Sequence, residues 1–200
     1  MKRNKDQKNA LPKLDQLEAE YSRINYHKRF RKLLLNTLYT LIVVAACAVL
    51  CAVVFLPVLR IYGSSMTPTL SEGQIVVSIK GAEVEQGDVV AVYYGRKLLV
   101  KRCIATEHQW INIEEDGSVY VDNVLLDEPY ITEKALGECN IELPYQVPDN
   151  CIFVMGDHRA TSIDSRNTSL GCIDDENVVG RIILRVWPLK EFALLTNNEE

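Results

Sequence analysis

Histidine is scarce in this 200-residue chain, and none of His27, His108 and His158 falls into a recognisable Ser-His-Asp arrangement. A hydrolase built on that triad is therefore not what the sequence describes. No Cys-x-x-Cys or Cys/His spacing is present, so no metal site is expected. Internal repeats and low-complexity segments are also missing, which removes solenoids and flexible arrays. Basic residues are few after the first 59 positions. Residues 60–200 carry twelve Lys/Arg against twenty-three Asp/Glu, whereas residues 1–32 carry ten against four. The net charge of −5 thus conceals a short basic tail and an acidic body, which argues against nucleic acid as a partner.

Charge is absent altogether between Leu38 and Leu59, where only Tyr39, Thr40 and Pro57 interrupt plain apolar residues. Twenty-two residues at 1.5 Å each reach roughly 33 Å, enough to cross the hydrocarbon of a bilayer. A cleaved leader is the competing reading. Ala46-Cys47-Ala48 has the small-x-small form, and Val44-Ala45-Ala46-Cys47 loosely resembles a lipoprotein cleavage site. The run, however, exceeds the 7–15 apolar residues of a leader and continues eleven residues past Ala48, which favours an uncleaved anchor. Arg23, Lys28, Arg29, Arg31 and Lys32 precede it, while Arg60 stands alone after it until Lys80. The positive-inside rule then puts the tail in the cytoplasm and residues 60–200 outside the plasma membrane. Cys47 and Cys51 lie in the span as small apolar residues. Cys103, Cys139, Cys151 and Cys172 lie outside, where a Cys139–Cys151 bridge is permitted and four unlinked thiols are the alternative.

Leu14, Leu17, Tyr21 and Ile24 have helical spacing within the tail. Beyond the anchor that period disappears. Short β-type runs take over at 74–79, 88–94, 98–105, 110–113, 118–121, 151–155 and 178–186, separated by turn signals such as Glu72-Gly73, Gln86-Gly87 and Asp116-Gly117. An all-β domain preceded by a single transmembrane helix is the expected fold. Residues 133–146 show no clear period and are expected to form a small cap or hairpin.

Two residues stand out chemically. Ser65 lies in Gly63-Ser64-Ser65-Met66-Thr67-Pro68-Thr69-Leu70, a polar, proline-held turn; a serine there is ordinarily only a turn former. Lys101 follows Leu98-Leu99-Val100 in an expected strand, where Leu99, Lys101 and Cys103 would share one face. Burial on that face would lower the amine's pKa and suit it to act as a base, whereas a snorkelling side chain would keep its amine in water. A third segment, 156–166, is dense in charge and hydroxyls. It is either a solvated loop laced with ion pairs or a rigid scaffold.

Taken together, these segments resemble the type I signal peptidase family of bacterial membrane-bound Ser/Lys peptidases. The likeness rests on the serine segment 63–70, on Gly87-Asp88-Val89-Val90, on Leu99-Val100-Lys101-Arg102, and on Phe153-Val154-Met155-Gly156-Asp157-His158-Arg159 running to Ser162, Asp164, Ser165 and Arg166. Gly180-Arg181 and Asp122-Asn123…Glu128-Pro129-Tyr130 extend it over nearly all of 60–187. It implies Ser65 as nucleophile and Lys101 as general base, without cofactor or metal. Ser162 would orient the lysine, and Asp157, Arg159, Asp164 and Arg166 would stiffen the site. It further implies an extracytoplasmic all-β peptidase domain at 60–190, after a basic cytoplasmic tail at 1–32 and a helix at 33–59, with a cap near 133–150 and an acidic tail at 191–200. Substrates would be preproteins with small residues one and three positions before the cut (Ala-x-Ala sites). They would be bound as an added strand by Ile61, Tyr62, Gly63, Met66, Leu99 and Val100. The bilayer and the translocation machinery are the other expected partners. A maturase dedicated to one exported substrate, such as a pilin, or a catalytically silent assembly scaffold, are the alternatives.

Three departures from the family pattern matter. The lysine segment continues as Cys103-Ile104-Ala105-Thr106-Glu107-His108 rather than through a glycine into Pro-Gly-Asp, which puts the following turn in doubt. Gly63 replaces a serine that lends a hydroxyl to the oxyanion hole in some members, leaving the Ser65 N–H and Ser64. The middle insertion is short.

Overall fold

The computed structural model describes residues 13–195. The first twelve residues of the basic tail and residues 196–200 of the acidic C-terminal tail lie outside the described residues. Among the described residues one α-helix, α1, runs from Leu14 to Phe55 over 42 residues. Neither glycine nor proline interrupts it, and Asp15 sits in its first turn, where a negative charge favours the helix dipole. Within the apolar part, the hydroxyls of Thr37 and Thr40 donate back to the carbonyls of Leu33 and Asn36, each at 2.9 Å, so neither is left unpaired. Its apolar half is long enough to cross a membrane.

The helix ends four residues before Leu59. Pro57 cannot supply the next N–H, and Val58–Arg60 turns into a strand instead. The expected helical boundary at residue 59 is corrected accordingly. The tail segment from Leu14 is likewise continuous with the apolar segment rather than a separate element.

The described residues from Ala52 onward make up a second compact unit. Its strands are β1 (Val58–Arg60), β2 (Ile75–Ile79), β3 (Val89–Tyr94), β4 (Lys97–Ala105), β5 (Trp110–Ile113), β6 (Val119–Val121) and β7 (Val124–Leu125). They continue with β8 (Tyr145–Gln146), β9 (Cys151–Met155), β10 (Ile173–Asp174), β11 (Val178–Trp187) and β12 (Ala193–Leu194). All pairings are antiparallel. The larger sheet has the order β1-β2-β11-β3-β4-β9-β10, with β12 also on β11, and the smaller the order β7-β6-β5-β8. Alternation built these strands: Val76 and Ser78 of β2 are buried between half-buried neighbours, and Ile111 and Ile113 of β5 are buried between exposed ones.

The larger sheet is covered on both faces where the site lies. From β3, Val89 and Ala91 pack with Ile61, Met66, Leu70, Val76 and Ile182, while Val90 and Val92 pack with Cys103, Ile152 and Val154. Phe153 and Met155 face the smaller sheet, packing with Ile104, Ile111 and Val119. On β4, Leu99 joins the Val90 cluster and Val100 the Val89 cluster, the alternation expected of this strand.

Instead of an independent cap, residues 126–144 form an irregular strap ending in β8, which pairs with β5. With no period of its own, the segment builds no sheet and is held by side chains from elsewhere. The turn after Ala105 closes without the glycine of the usual pattern. His108 takes a positive φ of 68°, and the Gln109 side chain accepts from the Thr106 N–H at 2.8 Å. Cys139 and Cys151 are free thiols, so the permitted bridge is not formed. Cys151 sits against Asp174 across the β9–β10 pair, its Sγ donating at 3.3 Å.

Candidate active site

Lys101 lies in the middle of β4, opposite Val90 on β3, and is 3% exposed. Its amine donates to Ser162 Oγ at 2.7 Å. Burial drives the Lys101 pKa down. Asp164 opposes that shift, Arg166 adds to it and Asp157 opposes it again, leaving the value below that of a free lysine. This lysine is therefore not a snorkelling one.

Ser65 is half-buried at the start of a tight turn. The turn is closed by Ser64, whose carbonyl accepts from the Thr67 N–H at 3.1 Å and the Thr67 hydroxyl at 2.8 Å, and by the Leu70 N–H on Met66 O at 2.8 Å. Gly63 enters the turn at φ 80°, a conformation that a serine would adopt only under strain, which accounts for glycine at this position. The carbonyl of Ser65 accepts from the His158 N–H at 3.0 Å. Gly156 makes that approach feasible: a Cβ there would collide with Ser162 Oγ and the Ser65 carbonyl oxygen. The serine turn, Ser162 and the lysine amine thus converge around one residue without a side chain.

The charged segment 156–166 is a buried scaffold, not a solvated loop. Asp164 accepts from the Gly156 N–H at 2.9 Å and from Arg166 Nε at 2.8 Å and Nη2 at 2.9 Å. Burial pushes the Asp164 carboxyl up, but the Arg166 hydrogen bonds and charge, with those of Gly156 and Ser162, more than offset it and hold the pKa below the usual range. Ser165 exchanges two 3.0 Å hydrogen bonds with the main chain of Val154, tying the segment to β9.

Not all the ion pairs close within the segment. Asp157 accepts both Nε and Nη2 of Arg102, at 2.9 and 2.8 Å. Arg159, with none of its side chain exposed, forms a two-pronged pair with Glu128 on the strap. Arg166 Nη1 donates to the carbonyls of Ala135 and Leu136 at 3.1 and 2.7 Å.

Arg102, Glu128 and Tyr130 escaped the reading from sequence as site residues. Arg102 joins four segments: besides Asp157 it donates to Gly87 O at 2.7 Å and Thr69 Oγ1 at 3.3 Å, with its guanidinium 3.8 Å over the Tyr130 ring. The Tyr130 hydroxyl donates to Glu128 at 3.1 Å. An arginine and a glutamate thirty-one residues apart leave no local signal; only the family-like Glu128-Pro129-Tyr130 hinted at them.

Among the residues expected to bind substrate, Ile61 and Met66 are core, 3% and 2% exposed, and lie beneath the surface. Tyr62 is 75% exposed, Gly63 and Ser64 are exposed, and Leu99 and Val100 are half-buried. Strand β9 pairs with β4 only from Arg102 onward, so among the described residues no strand lies beside Leu98–Val100 on the side away from β3. Among the described residues no group of three or more His, Cys, Asp or Glu could hold a metal ion.

An antiparallel β domain thus presents a buried lysine amine and a serine turn on either side of Gly156. Residues 34–187 match the family model described as Signal peptidase, peptidase S26. The chain is 32% identical over 160 residues to signal peptidase IB of Staphylococcus aureus (strain MRSA252), covering 70% of this chain and 82% of that protein. It is 32% identical over 164 residues to signal peptidase I of Bacillus licheniformis, covering 76% and 87%. It is 31% identical over 142 residues to thylakoidal processing peptidase 1 of Arabidopsis thaliana, covering 62% of this chain but 40% of that longer protein. A crystal structure of a signal peptidase I from Enterococcus faecalis superposes with a TM-score of 0.40 at 24% identity, over 50% of this chain and 97% of that one. The chain belongs to the signal peptidase family, peptidase S26, and is a serine endopeptidase.

Proposed function

We propose that Ser65 and Lys101 are the nucleophile and general base with which this endopeptidase cleaves signal peptides from exported preproteins. The observation that carries the assignment is the dry lysine amine fixed on Ser162 at the residue that also accommodates the Ser65 carbonyl. Neutral Lys101 takes the Ser65 proton as Oγ attacks the scissile carbonyl. The resulting ammonium protonates the leaving amine, and water, deprotonated by the same lysine, hydrolyses the acyl-enzyme. The Ser65 N–H is the proposed oxyanion donor, with the exposed Ser64 hydroxyl beside it. The unpaired edge at Leu98–Val100 and the sheet-edge strand β1 leading to Ile61–Gly63 fit a substrate added as an extended strand, with Ala-x-Ala sites as the preferred sequence. The assay is cleavage of an Ala-x-Ala preprotein by detergent-solubilised protein, with Ser65→Ala as the blank.

The pH dependence should report the lysine. Below its pKa Lys101 is an ammonium and cannot accept a proton, so kcat/KM rises with pH. Because burial lowers that pKa, the ascending limb should have its midpoint below the 10.5 of a free lysine. Ser162→Ala removes the hydrogen bond that aims the amine and should cut kcat by about a hundredfold. A flat profile from pH 5 to 9, or wild-type turnover in Ser162→Ala, would exclude this role for Lys101 or Ser162.

A single-pass topology with the basic end cytoplasmic and the β domain outside is part of the same reading, supported by the cations before the apolar run. Protease added to spheroplasts should digest residues 60–200 and spare the helix preceding the span. Protection of the β domain would reverse the orientation.

A further inference from the structure

Thr69, four residues beyond Ser65, is gripped from two sides, and the scaffold described so far supplies only Arg102 on its hydroxyl. Its carbonyl oxygen accepts from Nη1 of Arg185, on β11, at 3.0 Å. Through Nε the same guanidinium donates to the main-chain oxygen of Glu191 at 2.6 Å. The Glu191 carboxylate accepts from Nε2 of Gln74 at 2.6 Å, and the Gln74 side-chain oxygen accepts from the Ser71 N–H at 3.0 Å. The path leaves the serine loop at Thr69 and returns to it at Ser71. It also reaches the chain before the loop, because the Gln74 carbonyl accepts from the Ile61 N–H at 2.8 Å and Ile61 O from the Gly73 N–H at 3.0 Å.

We propose that Arg185, Gln74 and Glu191 are positioning residues for the reaction, a brace that fixes the serine loop against β11 and so sets where Ser65 stands relative to the lysine amine. The proposal rests on the reading of Ser65 as nucleophile. Strand register does not need the Arg185 side chain, since the main chain at this position already pairs with Val76 and Ala193. The guanidinium is spent instead on two carbonyls outside the sheet, one of them in the serine loop. None of the three side chains touches Lys101 or Ser162 through a hydrogen bond in this path. The brace therefore acts on the serine's placement and not on the lysine's basicity.

The test is kcat, KM and the pH profile on an Ala-x-Ala peptide for the full-length protein in detergent. Arg185→Ala should lower kcat by about tenfold to a hundredfold, the cost of a misplacement near 1 Å, with KM and the midpoint of the ascending limb unchanged. Glu191→Ala, at an exposed position, should lower kcat by a few-fold. Glu191→Gln keeps a side-chain acceptor for Gln74 and should restore it. Combined with Arg185→Ala, Glu191→Ala should add little, because the two interrupt one path. Lys190→Ala, a neighbouring exposed cation, serves as the unaffected control.

Wild-type kcat in Arg185→Ala overturns the brace, as does a shifted ascending limb, which would place the effect on Lys101. Should Arg185→Ala not fold, the Glu191 pair decides: equal rates for the Ala and Gln variants overturn the proposal. Ser65→Ala separates the two readings. Residual cleavage there sinks the nucleophile itself, whereas an inactive Ser65→Ala beside a fully active Arg185→Ala sinks only the brace.

Discussion

Ser65→Ala and Lys101→Ala are each expected to lower preprotein cleavage by about a thousandfold or more while leaving the fold intact. The two groups act on one proton, so the double variant should be no slower than either single one. Lys101→Arg separates charge from basicity. It keeps a cation on β4 but stays protonated at every working pH, so it should be as inactive as alanine. Removal of the Lys101 amine also relieves a buried group whose ionised form is disfavoured, and Lys101→Met should therefore fold at least as well as wild type while remaining inactive. Turnover well above about a thousandth of the wild-type rate in any of these variants, judged against an enzyme-free blank, would exclude the dyad.

Asp164→Ala carries the second large effect, on stability. Arg166 is wholly buried and Asp164 is its carboxylate partner, so deletion leaves a guanidinium charge without compensation in a dry site. Breaking such a pair from one side costs about 3–5 kcal/mol, a large share of the stability of a domain this size. The pH dependence has a definite sign. Asp164 has a folded pKa below the 3.8 of a free carboxyl, so its contribution is fully present above that value and is lost as pH falls through the depressed one. Denaturant titrations should show the gap between wild type and Asp164→Ala narrowing only under strongly acidic conditions. A loss under about 1 kcal/mol at pH 7 would mean that Arg166 finds other partners. Asp164→Asn, which keeps the shape, adds a kinetic readout. Asp164 raises the Lys101 pKa, so its neutral replacement should move the ascending limb of kcat/KM to lower pH.

The longer strands were legible because their alternation is strong: the run expected at 110–113 is β5, that at 151–155 is β9, and those at 98–105 and 178–186 differ from β4 and β11 by one residue. β1 was hidden because Val58 and Leu59 continue the apolar run before them, and only Pro57 marks the change. β7, β8, β10 and β12 have two residues each, too few for any period to register. At the candidate site, the serine turn and the lysine were singled out by the resemblance of their segments to the family. The wiring did not. Arg102 sits on a strand face where alternation suggests an apolar residue, and Glu128 pairs with an arginine on a distant segment. Arg185 reaches across 116 positions to Thr69. A buried charge is readable from sequence only when its partner is nearby along the chain, as with Asp164 and Arg166.

The place of β11 in the sheet has a consequence for when the molecule becomes whole. The serine loop hangs from β1 and β2, and the lysine belongs to the β3–β4 hairpin, yet β2 and β3 are not neighbours: β11 lies between them. Both flanking pieces leave the ribosome before the strand that joins them. Until residues 178–187 arrive, the proposed nucleophile and its base ride on separate fragments of sheet whose facing edges are open. That late, long-range closure is a slow kind of contact to make. It also ties the meeting of the proposed nucleophile and its base to the arrival of β11.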